Sequence, residues 1–335
     1  MADTGKQGRW VPVVLGLAVS AFLAYLAVRG VDWREVLTIL QHARYEFLVA
    51  AGVGVLGTLA LRAWRWGVIL RPVRRVSPWP LCAITAVGFL AVSVIPFRIG
   101  ELVRPALLAD RERIPFSSGL ASIAVERCLD GLAFAVLVAV VARWLPLPIW
   151  ARPLGYGLGG VYLIALVVLG WAWLARERCV LVIARAAGRV LPSRSEAIAK
   201  AARGFFLGLG VLPEGGNLTM ALLLSGGLWL IGAVINYVSF FALGLDLPFV
   251  AAASLEVLIT IGVLLPAAPG AVGSFHFFAV MGLRSFGVSE AVSLSYAILV
   301  HATLMVVFTL AGVTCGVTYR VGRWRRLEAL VVDRQ

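Results

Sequence analysis

Apolar runs of about twenty residues recur along the chain, separated by short segments rich in arginine. Each such run can cross a bilayer as one helix, because a helix satisfies all its own backbone polar groups in hydrocarbon. With 61% hydrophobic residues, only 14% charged residues and a mean hydropathy of +0.94, a water-soluble domain is excluded. The expected fold class is all-α, a polytopic transmembrane helical protein.

Simple spans are expected over Val11–Val28, Phe47–Trp66, Ser117–Ala142, Leu154–Leu174, Leu218–Leu243 and Ala291–Thr318. Between the first two, VDWREVLTIL predicts a short amphipathic surface helix that Asp32 can cap. Arg62 and Arg65 fall in the last turns of the second span, where long side chains can snorkel to the headgroups. From 176 to 210 the chain carries Arg176, Arg178, Arg185, Arg189, Arg194, Lys200 and Arg203, which predicts a cationic helical hairpin at the cytoplasmic surface.

Two segments do not read as plain spans. Pro80–Ile95 is apolar but short, Pro96 lacks a backbone donor, and IGELVRPALL then predicts a second short helix. Pro248–Leu265, PAAPGAVG and SFHFFAVMGL repeat that pattern near the other end. Counting both segments as crossings places the cationic 176–203 stretch outside, against the positive-inside rule. If each instead enters and leaves from one side, as a re-entrant hairpin or as two consecutive crossings, all Arg-rich loops fall in the cytoplasm, together with both termini. The expectation is a single integral membrane domain over 1–335, with pseudo-repeat halves at about 11–142 and 154–318 in inverted orientation. Each half would contain a broken, re-entrant hairpin.

The stretch Pro96–Asp130 puts charge where hydrocarbon is expected. Glu126, Arg127 and Asp130 interrupt the apolar run Gly119–Val141, and Arg98, Glu101 and Arg104 recur three apart. A charge at mid-bilayer costs at least about 2.5–3.5 kcal/mol, so these groups must pair, face the interior or line a polar path. Helix ends at the two breaks favour anions. With Arg98, Arg104 and Arg127 they could receive a phosphate or phosphodiester headgroup, while Glu101, Glu126 and Asp130 balance charge, hold a cationic headgroup or bind a coupling proton. Glu101 with Arg104 and Arg127 with Asp130 could pair locally, and the like-charged Glu126 and Asp130 call for a shared partner or a bound proton. From the second half, Glu256 and His276 are the candidates to face the same site. Asn217, Asn236 and His301 read as structural. The alternative is a closed ion-pair network that only holds helices together.

The net charge of +13 reads as topology and contact with anionic headgroups, not nucleic-acid binding. Cys82, Cys128, Cys179 and Cys315 are scattered without a C-x-x-C, and three histidines are too dispersed for a cluster, so no metal or other cofactor is expected. No nucleophile elbow, Walker loop or H-E-x-x-H is present.

These residues carry a resemblance. Gly100, Glu101, Leu102 and Arg104, followed by Phe116, Ser117, Ala121, Ser122, Glu126, Arg127 and Asp130, are similar to the hallmark of the lysylphosphatidylglycerol synthase transmembrane-region, or flippase-like, family. Pro269-Gly270-Ala271-Val272-Gly273 resembles its second signature, with Ala271 at a usual Gly position and His276 near a usual Glu. The resemblance covers Pro12 to Thr318. It implies a membrane region that moves a polar lipid; in bifunctional members a separate soluble domain makes that lipid, and only Arg320–Gln335 follows the last span here. The expected function is therefore lipid transport across a bacterial inner membrane, with anionic or zwitterionic membrane lipids as partners. An accessory subunit bound to a lipid-synthesis enzyme and an integral lipid-modifying enzyme are the alternatives. The oligomeric state is not specified by the sequence.

Overall fold

The computed structural model describes residues 11–144, 149–265 and 268–319, and within them all side chains except those of residues 11–13 and 96–98. Helix α1 (Val11–Val28) turns through Gly30, at φ 80°, into α2 (Trp33–Gln41), bent from it by 84°. Asp32 caps α2 by accepting a hydrogen bond from the Arg34 amide at 2.8 Å. Then come α3 (Tyr45–Leu70), α4 (Pro78–Val94), a 3₁₀ segment at Pro96–Leu102, α5 (Val103–Glu112) and α6 (Phe116–Trp144). The second part of the chain forms α7 (Ala151–Leu174), α8 (Arg176–Val190), α9 (Ser195–Gly208), α10 (Gly215–Phe241) and α11 (Phe249–Leu264). A 3₁₀ turn at Pro269–Ala271, α12 (Ser274–Arg284) and α13 (Glu290–Thr318) complete it. No strand occurs among the described residues.

Helices α3, α7, α10 and α13 are long and apolar enough to cross a membrane, and the bent α1–α2 pair would add a fifth span. The protein is thus a multi-pass, all-α membrane protein. Helix α6 is 29 residues long but carries Glu126, Arg127 and Asp130. With 17 and 16 residues, α4 and α11 reach only about 25 Å at 1.5 Å per residue, short of the hydrocarbon core.

One expectation is corrected by the length of α3. Its apolar pattern continues through Val68, Ile69 and Leu70, all buried, so the helix runs past Trp66. Arg65 therefore does not reach the headgroups. It is 0% exposed and faces carboxylates inside the protein. Arg62 also turns inward, with its guanidinium 5.0 Å from the centre of the Phe89 ring.

The breaks have local causes. Ile95 is extended (φ −91°, ψ 124°), as a residue before proline should be, and Pro96 ends the α4 hydrogen-bond ladder. Gly100 lets the 3₁₀ segment lie on the α4 backbone, since a Cβ there would sit 2.4 Å from Ala91 C and Val92 N. At the second break Gly270, Ala271 and Gly273 all have positive φ. Pro266 lies outside the described residues. Helix α1 covers this break: Ser20 Oγ accepts from the Ala268 amide at 2.6 Å, satisfying a donor that the broken helix frees.

Contacts at the element ends sort the loops. Arg74 donates to the Glu112 carbonyl at 2.7 Å, so α4 begins beside the end of α5. Arg71 donates to Asn217 Oδ1 at 2.9 Å, and Tyr319 donates to Glu112 Oε1 at 2.8 Å. Burial and the Glu112 contact push the Tyr319 phenol up to about 12, which keeps it a donor. Ser118 donates to the Gly204 carbonyl at 2.6 Å, bringing the α8–α9 hairpin to this same Arg-rich end. At a second end the Arg44 amide donates to the Ala242 carbonyl at 2.8 Å. Leu245 and Leu247, before α11, share a cluster with Phe286 and Val288, after α12.

Candidate functional site

The charged motif residues meet at the centre of this helix bundle. Glu126, 0% exposed on α6, receives three arginines: Arg104 from α5 in a bidentate pair at 2.9 and 3.0 Å, Arg65 from α3 at 3.1 Å, and Arg127 at 2.8 Å. Asp130, one turn further along α6, shares Arg65 with it and lies 3.4 Å from Arg127. The shared partner resolves the like-charge spacing of Glu126 and Asp130. Arg65 also donates to Ser225 Oγ of α10 at 2.6 Å. Arg104 does not pair with Glu101 within its own turn; Glu101 lies 3.9 Å from Arg127 instead.

Neutral residues hold the network in register. The Arg104 guanidinium stacks 4.3 Å from the ring centre of the buried Trp66, whose Nε1 donates to Ser122 Oγ at 2.9 Å. Gly88 gives Arg104 its path, because a Cβ at that position would lie 2.4 Å from Arg104 Cγ. Trp229 of α10 donates to the Asp130 carbonyl at 3.1 Å and stacks on Phe134.

Above the network lies a cavity of about 560 Å³. Glu101, Arg104, Arg127 and Asp130 line it from the first part of the chain, with both breaks represented by Ile95 and by Ala268–Ala271. Glu126 and Arg65 are buried beneath this lining and support it. From the second part, Glu256 reaches the cavity, hydrogen-bonded by Asn236 Nδ2 at 2.7 Å. His276 is not among the lining residues. The neighbouring His301 is, with Nε2 at 2.8 Å from the Gly270 carbonyl. The Arg98 side chain lies outside the described residues.

Sequence reasoning missed Arg62 and Arg65. The two arginines carry a signal in their spacing, since both share the α3 face that carries Trp66 one residue on, but their place near a span end suggested snorkelling. Asn236 was expected to bond between helices. It does so, linking Glu256 to the Tyr296 hydroxyl, which donates to Asn236 Oδ1 at 2.9 Å. Among the described residues no group of three or more His, Cys, Asp or Glu could hold a metal ion.

The model of the lysylphosphatidylglycerol synthase TM region matches residues 13–312. The chain belongs to that family. Every carboxylate and arginine of its first motif that is described, from Glu101 to Asp130, lies in the network or its lining. The chain is also similar to a glycosyltransferase, AglD, of Haloferax volcanii, at 29% identity over 361 residues. That alignment covers 98% of this chain and 58% of the relative, so the chain spans little more than half of the relative's length.

Proposed function

We propose that the protein moves a polar lipid, through its phosphate-containing headgroup, across the inner membrane, with the headgroup in the central cavity and the acyl chains in the bilayer. Arg62 carries this reading. The other three described arginines of the site form ion pairs with carboxylates, whereas Arg62 lines the cavity against the Phe89 ring, without an ion pair within 4 Å among the described residues and with Asp130 acting on it only at longer range. A cation kept in a cavity inside a membrane protein costs free energy unless an anion comes to it. A phosphate between Arg62 and the partly exposed Arg127, both of which line the cavity, would meet that need.

Alternating access from two inverted halves fits the packing. If α1, α3, α4, α5 and α6 correspond to α7, α10, α11, α12 and α13, then α3 packs on its own counterpart α10. The contacts α3–α4, α3–α13, α4–α13 and α5–α6 are likewise matched by α10–α11, α10–α6, α11–α6 and α12–α13. Three crossings and one re-entrant hairpin per half make the halves opposite in orientation, which agrees with the two breaks opening from opposite ends. The positive-inside rule then assigns the Arg74, Arg111 and Arg176–Arg203 end, and both termini, to the cytoplasm. The Arg320–Arg326 tail lies outside the described residues.

The test is leaflet-resolved movement of phosphatidylglycerol in proteoliposomes. Wild type should exceed empty liposomes, and Arg62→Gln should lose at least about tenfold in rate, the size of a lost charge-assisted contact of ~1.4 kcal/mol. A second reading, a membrane subunit serving a lipid-glycosylating or lipid-synthesising enzyme, is favoured by the glycosyltransferase relative, of which this chain matches 58%. Movement that appears only when such an enzyme is reconstituted with the protein would select it.

A further inference from the structure

Four carboxylates reach the central network or its cavity, and they are not equivalent. Glu126, Asp130 and Glu101 each lie within 3.9 Å of an arginine nitrogen. Glu256 has no ion-pair partner among the described residues. Its one recorded hydrogen bond comes from Asn236, and the orientation of that amide is fixed from the far side: Tyr296 donates to Asn236 Oδ1, so the NH₂ group must face Glu256 Oε2. This bond is compatible with either protonation state, because Oε2 accepts in both. Oε1 is left without a recorded donor, beside Gly232, where a Cβ would lie 2.5 Å from it. The glycine keeps that oxygen open to the cavity that Arg62 also lines.

We propose that Glu256 is the proton-exchange site of the cavity, taking up a proton when an anionic group occupies Arg62 and releasing it when that group leaves. The proposal rests on the transport reading and gives it an energy source. Arg62 and Glu256 line the same cavity from α3 and α11, so the charge of one reaches the other through a poorly screened space. An anion seated at Arg62 cancels that charge and adds repulsion, and both effects favour the protonated acid. By linkage, a proton on Glu256 favours the anion equally. The balance is simple: one proton joins Oε1 while the cavity is open to the side from which the anion enters, and leaves Oε1 when the cavity opens to the side on which the anion is released.

The other groups around Glu256 do not offer this exchange. From α6, Arg127 and Asp130 are committed to ion pairs. From α10, Asn236 does not titrate. From α13, the Tyr296 hydroxyl is committed to Asn236 and His301 to the Gly270 carbonyl, while His276 of α12 packs against His301 and does not line the cavity.

The experiment is labelling of the purified full chain by dicyclohexylcarbodiimide, which adds to protonated carboxyls, with the modified residue located by mass spectrometry across a pH series. Glu256 should be labelled in preference to Glu126 and Asp130, less as pH rises, and Glu256→Gln should lose that peptide's label. Arg62→Gln, which mimics a neutralised Arg62, should keep Glu256 labelled to a pH higher by about one unit, the effect of removing a nearby opposite charge. Absence of Glu256 label at every pH, in protein that is labelled there once unfolded, overturns the site. Labelling with an unchanged pH profile in Arg62→Gln overturns the coupling. Neither outcome depends on lipid movement, so a failure here is distinct from a failure of transport.

Discussion

Arg65 and Glu126 meet 3.1 Å apart, both 0% exposed, on two helices that the sequence separates by the first break. Burying such a pair is costly, and breaking it by removing one partner is costlier, because the other is left as an uncompensated charge. Glu126→Gln should destabilise the protein by about 3–5 kcal/mol, seen as a large fall in the thermal midpoint in detergent. Glu101→Gln, at the rim with a side chain 25% exposed, should leave the midpoint nearly unchanged. Equal losses would mean that rim and buried carboxylates form one structural unit.

Gly100 fixes the first break against α4. Gly100→Ala would press a methyl group onto the Ala91–Val92 backbone, and neither side is a flexible chain end that can move away. A loss of about 1–3 kcal/mol is expected, measured by thermal unfolding. Gly57→Ala, where a Cβ meets nothing within 4 Å, is the control and should be neutral or slightly stabilising.

Ala271 has φ 57°, a conformation that costs a residue with a Cβ about 1–2 kcal/mol. Ala271→Gly should recover part of this, offset by the greater freedom of glycine in the unfolded chain, for a net gain of up to about 1 kcal/mol. A rise in thermal midpoint checks it, and a fall would show that the methyl group packs usefully in the break.

Much of the architecture is legible in the sequence because hydrocarbon tolerates few backbone solutions. Apolar length placed the long helices, Pro96 and the Pro269–Gly273 stretch marked the breaks, and Asp32 marked the start of α2. The site is less legible, because pairing across helices is not written in local spacing. Arg104 lies three residues from Glu101 yet bonds to Glu126, since Gly88 opens a path for its stem and Trp66 offers a face. Arg65 reads as a snorkelling residue from the sequence because the expected span ends at Trp66, whereas the helix carries four further residues, Gly67 to Leu70. His301 of α13 lines the cavity and bonds to the Gly270 carbonyl, whereas His276 of α12 packs against the His301 ring.

Topology has its own test. In a background with the native cysteines replaced, Val190→Cys on the exposed face of α8 should be labelled only from the cytoplasmic side, and Asp246→Cys, before α11, only from the outside. Both probes labelled from one side would contradict the inverted arrangement of the two broken hairpins.

The most direct measurement asks whether the cavity itself is the path. Thr58 and Thr260 line it from the two parts of the chain, outside the ion-pair network, and a tryptophan at either would set an indole ring in the path through this 560 Å³ cavity. Leaflet-resolved movement of phosphatidylglycerol should be present in wild-type proteoliposomes and abolished in folded Thr58→Trp and Thr260→Trp proteins. Wild-type rates in both plugged variants would contradict passage of the headgroup through this cavity.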